Sequence, residues 1–250
     1  MKCLFLGEGP TDLGVNNPLG DVRLKKGPMA LIVDFLAERM KVFEIDYELL
    51  SRGDVSLALK NSKRKISPRP KEVDRELNSI YKSAWYIGRK ALEGHKNAAI
   101  YFHDPDRTNS EPRYKAGLME KAMIVGFGLS GFENGIPMIP IPRSEAWLLA
   151  YFQRGLEGQI AYNKAERFEK LPANDKSPKS AKKLLQKAVG ARTESDVSAK
   201  IMEEFHEIDW TRVDMPSFNR FRSRLESVLN VYLGSVNVSN ANPNGDLANV

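Results

Sequence analysis

An α/β fold, with a mainly parallel sheet flanked by helices and a helical C-terminal part, is what this sequence predicts, and three observations predict it. Two short apolar runs, Met1–Leu6 and Ala98–Phe102, each stop abruptly at turn-forming and acidic residues, the pattern of strands buried on both faces. Between them Pro28–Met40 places Met29, Ile32, Phe35, Leu36 and Met40 along one helical face and leads to the alternating stretch Phe43–Leu49, so that this first strand, helix and strand imply a parallel pair. From Gln159 onward the pattern is wholly helical, with no further good strand before Val236.

The first strand runs directly into Gly7-Glu8-Gly9-Pro10-Thr11-Asp12. The glycines permit a tight turn, Thr11 or Asp12 can cap a helix starting there, and Glu8 is left at the strand's carboxyl end. Gly-Glu-Gly is also a common turn, and neither the dinucleotide-binding glycine spacing nor a Gly-Lys-Ser/Thr ending accompanies it. Residues 13–27 are polar and read as a loop. After the amphipathic helix, Phe43, Ile45, Tyr47 and Leu49 alternate with Glu44, Asp46 and Glu48, which describes a half-exposed strand near a sheet edge. Lys60–Lys71 carries Lys60, Lys63, Arg64, Lys65, Arg69 and Lys71 with two prolines and no apolar period, and is expected to be a mobile basic loop. A helix from about Lys71 to Glu93, with Val73, Leu77, Ile80, Ala84, Ile87 and Ala91 on one stripe, then returns the chain to Ala98.

The strand Ala98–Phe102 delivers His103-Asp104-Pro105-Asp106 to its carboxyl end, the edge at which open α/β sheets place their chemistry. Asp104 and Asp106 are two apart and lean the same way on an extended backbone, with Pro105 stiffening the turn. Two carboxylates held so close are costly without a cation, and hard oxygen ligands suit Mg²⁺ or Mn²⁺. Asp-Pro-Asp also suits an Asx-type turn that merely ends a strand. A helix is expected over Arg113–Val125, followed by Gly-rich residues 126–135. The apolar stretch Pro137–Pro142 is proline-rich and so reads as an edge strand at most. Arg143 or Ser144 then starts a helix with Glu145 in its first turn, where a carboxylate interacts well with the helix dipole. Further on, Ser177-Pro178-Lys179 opens a helix carrying Lys179, Lys182, Lys183 and Lys187. Glu194–Phe205 and Ser217–Leu233 form two more, and the polar tail from Gly234 is expected to be disordered.

Composition bounds the function classes. The 250 residues suffice for a sizeable core, and 42% hydrophobic with 28% charged residues is ordinary for a soluble globular chain. No apolar run approaches the roughly 18 residues of a membrane span, so a cytoplasmic protein without membrane partners is expected. The single Cys3 excludes an intrachain disulfide and any multi-cysteine metal site. A net charge of +6 points to a polyanionic partner, with Lys63, Arg64 and Lys65 and Lys179, Lys182 and Lys183 the densest basic groups. Three regions are expected: residues 1–155 as an α/β catalytic domain, 156–233 as a helical subdomain and 234–250 as a polar tail.

A first strand ending in Gly-Glu-Gly, a later strand ending in Asp-Pro-Asp and α/β alternation between them resemble the Toprim domain of topoisomerases, primases and the overcoming-lysogenisation-defect nucleases. The strings Ile-Pro-Arg-Ser-Glu-Ala-Trp-Leu-Leu and Ser217-Phe218-Asn219-Arg220-Phe221 resemble a branch of small bacterial Toprim proteins associated with defence against phage. The resemblance implies a Toprim-like sheet, with Glu8 in the first-motif glutamate role and Asp104 and Asp106 as the metal-binding aspartates. It makes Asp12 and Glu145 auxiliary acids that support a second metal. It implies a Mg²⁺- or Mn²⁺-dependent endonuclease acting on nucleic acid, DNA before RNA, with an ATPase or other defence-system protein as a possible partner chain. No active-site tyrosine motif or ATPase segment is seen. Two other readings use the same residues: a non-catalytic nucleic-acid-binding or regulatory subunit, and a metal-dependent nucleotide phosphohydrolase.

Overall fold

The first apolar run forms β1 (Lys2–Gly7), followed by one helical turn, α1 (Pro10–Leu13). This computed structural model describes residues 1–7, 9–15, 25–61, 66, 68–105, 112–152, 162–172, 174 and 176–241. A short antiparallel pair, β2 (Gly14–Val15) with β3 (Lys25–Lys26), lies within the stretch read from sequence as loop. The chain continues through α2 (Pro28–Arg39), β4 (Asp46–Ser51), α3 (Arg52–Asn61) and α4 (Asn78–Glu93). Next come β5 (Ala98–Phe102), α5 (Pro112–Ser130), β6 (Gly135–Met138) and α6 (Ser144–Phe152). A 3₁₀ segment over Tyr162–Lys170 leads to α7 (Ala181–Ala188), α8 (Glu194–Glu204) and the long α9 (Pro216–Ala241).

Four strands form one all-parallel sheet in the order β4-β1-β5-β6, flanked by helices, as the sequence predicts. The central strands β1 and β5 are buried on both faces because alternate side chains enter different layers. Cys3, Phe5, Ala98, Ile100 and Phe102 pack against α2, α6 and α9, whereas Leu4, Leu6, Ala99 and Tyr101 pack against α4 and α5. Right-handed crossovers require this division. From β1 the chain moves one way to β4 over the α2 face, and from β4 it moves back past β1 to β5 over the other face. The C-terminal helices share the α2-side core: Leu185, Ile201, Trp210, Phe218, Phe221 and Leu225 belong to the same apolar cluster as β1 and β5.

The edge strand β6 begins at Gly135, in the glycine-rich stretch, and takes in only Pro137 and Met138 of the proline-rich run; β4 is the opposite edge, as expected. Several boundaries differ from the sequence reading. Helix α5 continues through Gly126 and Gly128 to Ser130, where glycines had read as a break. Gly126 is there for close approach to α4, since an added Cβ would lie 2.5 Å from the Tyr81 carbonyl oxygen. The helix expected from Lys71 starts as a 3₁₀ turn at Arg75 and becomes α-helical only at Asn78, beyond the extended-favouring Pro68 and Pro70. Lys60 belongs to α3 instead of opening a loop. Lys179 lies before α7, whose N-cap is Ser180, accepting from the Lys183 N–H at 3.3 Å. Helix α9 runs past Leu233 to Ala241, because Gly234 in an exposed turn does not stop a helix already anchored by its buried first half.

Among the described residues no helix is long and apolar enough to cross a membrane. Cys3 is 0% exposed, and burial pushes its thiol up to about 12. We therefore expect no labelling of the native protein by a maleimide at pH 8, since the thiolate is the nucleophile, and full labelling in denaturant. Rapid native labelling would show that β1 opens readily.

Candidate functional site

The topology brings specific chain ends together before any side chain is considered. β1 and β5 are neighbours with Leu6 opposite Tyr101, and the connections leading out of them wind in opposite directions. Such a reversal leaves a crevice at the strands' carboxyl ends, where ligands bind in open α/β sheets. Gly7 and Phe102 end the two strands there, and His103 and Asp104 continue from the second. β6 runs beside β5 with Met138 opposite Phe102, and the His103 N–H donates to the Met138 carbonyl at 3.0 Å. Residues 139–143 then carry the chain from β6 to the start of α6.

This arrangement closes on one hydrogen bond: the Ser144 N–H donates to Asp104 Oδ1 at 3.2 Å. Asp104 thus caps the N-terminus of α6 from 40 residues away, satisfying one of the helix's open donors. Glu145 is the next residue and lies in the first turn, as its sequence position predicts. Asp104 and Glu145 are both half-buried. Glu145 Oε2 is enclosed by protein and has no hydrogen-bond partner among the described residues. A carboxylate oxygen sealed without a donor is costly, and a cation would satisfy it. The chemistry of Glu145 Oε2 therefore suits a divalent metal, and Asp104 is a second carboxylate tied to the same helix turn. Among the described residues no group of three or more His, Cys, Asp and Glu side chains forms a metal-holding cluster. Glu8 and Asp106 lie outside the described residues.

Asp12 is carried by α1, which turns back from the end of β1; its N–H donates to the Gly9 carbonyl at 3.3 Å and its side chain is half-buried. The turn is held tightly against the strand, since a Cβ on Gly7 would meet the Leu13 side chain at 2.5 Å. His103 is 4% exposed, with its ring tilted against Tyr101 at 6.1 Å, a position beneath the edge that suits a structural role. Arg143 is a site residue that the sequence reading passed over, treating it only as a possible helix start. It is 5% exposed, immediately before Ser144, and a guanidinium is rarely so buried. The signal was present as a lone cation between an apolar strand and Glu145.

Helix α6 is fixed by aromatic packing. Trp147 is fully buried, stacks on Phe221 at 5.6 Å, meets Phe218 edge-on at 5.0 Å and donates its indole N–H to Ser217 Oγ at 2.8 Å. The Ser217 N–H in turn donates to the buried Glu169 Oε1 at 2.6 Å. The two strings that sequence reading singled out far apart, one around Trp147 and the other Ser217–Phe221, are therefore two halves of one contact that positions Glu145.

Of the basic groups, Lys63, Arg64 and Lys65 lie outside the described residues. Helix α7 packs on α6 through Ala181 and Leu185, which brings Lys182 and Lys183 onto the helix neighbouring the one that carries Glu145. Lys183 and Lys179 are exposed, and Lys182 is half-buried. Comparison of the chain with protein-family models, with curated proteins and with solved structures finds no match.

Proposed function

We propose that the chain is a divalent-metal-dependent nuclease that hydrolyses phosphodiester bonds of DNA at the edge where β1, β5 and α6 meet. The observation that carries this reading is the Asp104–Ser144 hydrogen bond, which joins an acidic strand end to the first turn bearing Glu145. The unpartnered Glu145 Oε2 supports a cation as the missing partner. The resemblance of the Gly-Glu-Gly and Asp-Pro-Asp strand endings to the Toprim pattern supports the same chemistry.

Asp104, Asp106 and Glu145 would hold Mg²⁺ or Mn²⁺, with Asp12 and Glu8 beside them. When bound, the cation polarises the scissile phosphate and makes water a better nucleophile at neutral pH. The chain's own residues then have distinct tasks. Asp104 orients α6 through Ser144 and would contribute its carboxylate to the cation. Glu8 serves as a ligand or as the base that takes the proton of the attacking water. Lys182 and Lys183 on α7, with Lys63, Arg64 and Lys65, offset the repulsion between a carboxylate cluster and a polyanion. We further propose a cytoplasmic role in defence against phage, with an ATPase or another defence protein as partner.

The test is incubation of supercoiled plasmid with the protein and Mg²⁺ or Mn²⁺, alongside free nucleotides assayed for phosphate release. The reading predicts nicking that chelator abolishes. Binding without nicking would leave a nucleic-acid-binding subunit, and phosphate release from free nucleotide alone would identify a phosphohydrolase.

A further inference from the structure

A second feature lies at the same sheet edge but on the α3–α4 face. Helix α3 carries Arg52, Ser56 and Lys60 at four-residue spacing, which aligns them along one side of the helix. Helix α4 answers with Ser79, Lys82 and Ser83 in its first two turns, on the side opposite its buried face of Ile80, Tyr81 and Ala84. These six residues line a cavity of about 540 Å³, within the size range of small-molecule and nucleotide sites. Tyr101, the penultimate residue of β5, also lines it, so the cavity and the carboxylates of the candidate site flank the end of one strand.

Its lining is cationic. It holds Arg52, Lys60 and Lys82 and no Asp or Glu among the described residues. Lys60 and Lys82 have no ion-pair partner among the described residues, whereas Lys90 and Lys96 on the same layer are neutralised by Glu48 at 2.6 and 2.9 Å. The one acid of α3, Asp54, is turned away to Ser51, whose N–H and hydroxyl it accepts at 3.1 and 2.7 Å. Like charges gathered in a concave, partly desolvated space repel, and an anion relieves the repulsion. Two ammonium groups and three hydroxyls supply many donors, which suits the several acceptor oxygens of a phosphoryl group.

We propose that this cavity is a phosphoryl-binding subsite that holds a phosphate of the nucleotide chain whose neighbouring linkage reaches the carboxylate edge. The assignment to a chain being cleaved rests on the nuclease reading; the binding of a phosphoryl group does not. The same chemistry would accept the phosphate of a free mononucleotide, and the experiment separates the two sources.

Metal-free binding makes the test independent of cleavage. Anisotropy of a short fluorescein-labelled single-stranded DNA is followed in chelator across a salt series, for wild type and for Lys60→Gln/Lys82→Gln. A control, Lys41→Gln/Lys121→Gln, removes the same charge at exposed positions away from the cavity. The subsite predicts at least tenfold weaker binding for the first variant and a log-log salt slope reduced by about 0.7, the value for one lost single-strand phosphate contact. The control should stay within about twofold of wild type. Ser79→Asp, which a helix N-terminus tolerates, should weaken binding as well without lowering the melting temperature. Displacement of the DNA by a 5′-mononucleotide would assign the site to free nucleotide, and failure to displace would assign it to backbone; both support a phosphoryl subsite. Equal affinity and slope in Lys60→Gln/Lys82→Gln and wild type, or no binding of either ligand by wild type, overturns it. Binding of this kind without plasmid nicking would reject the nuclease reading while leaving the subsite in place.

Discussion

On the proposed nuclease reading, Asp104→Asn will abolish metal-dependent cleavage, a loss of more than about 100-fold, while leaving the melting temperature close to that of wild type. Asparagine keeps an oxygen that accepts the Ser144 N–H, now seen at 3.2 Å, so the cap on α6 survives. It cannot supply the anionic ligand. Asp104→Ala removes both functions, and the lost cap lowers stability by about 0.5–2 kcal/mol. Relief of carboxylate repulsion taken alone would have made alanine mildly stabilising; the hydrogen bond to Ser144 reverses that sign. Paired thermal melts and plasmid-nicking rates separate the outcomes. Cleavage by Asp104→Asn at wild-type rate would remove this residue from the site.

Trp147→Ala will destabilise the protein by about 3–5 kcal/mol, the range for deleting a fully buried large aromatic side chain. The indole fills the space among Phe218, Phe221 and α6, and its N–H is the donor to Ser217 Oγ. Alanine leaves a cavity there and disturbs the hydroxyl that precedes the Glu169 contact. Trp147→Phe keeps the ring packing in part and should lose roughly 1–2 kcal/mol. At about 2–4 °C per kcal/mol for a chain of this size, the alanine variant should melt some 6–20 °C lower. Because Glu145 lies on the same helix, divalent-metal affinity should fall in both variants in the order of their stability loss. A shift below about 3 °C for the alanine variant would mean that α6 is held by something other than this contact.

Much of this architecture was legible because physics acts locally on it. β1 and β5 are uninterrupted apolar runs because both faces are covered, and such runs have few alternatives once turn residues bound them. β4 showed its edge position through alternation, and β6 through its prolines. Glu145 could be placed in a first turn because Ser144, just after the proline-rich run, marks a helix start. The features hidden from sequence reading depend on partners distant in the chain. Gly126 reads as a helix breaker until α4 is brought against it, and only then does the missing side chain become a packing requirement. The bond from Ser144 to Asp104 spans 40 residues, so neither string announces it. The same holds for Trp147 and Ser217, whose separate strings are intelligible only as one interface. Arg52, Ser56 and Lys60 have the spacing of a single helical face, but Lys60 reads as the start of a basic loop because the density of positive charge is greater just downstream.

The central claim, that the carboxyl edge between β1 and β5 holds a catalytic cation beside Asp104 and Glu145, is tested most directly by anomalous diffraction from crystals soaked in Mn²⁺. The account predicts a peak within ligand distance of the Asp104 carboxylate, with Glu145 Oε2 now partnered by the ion or its water and with the peak lost in Asp104→Asn. No peak at that edge, at a Mn²⁺ concentration that supports cleavage in solution, would contradict it.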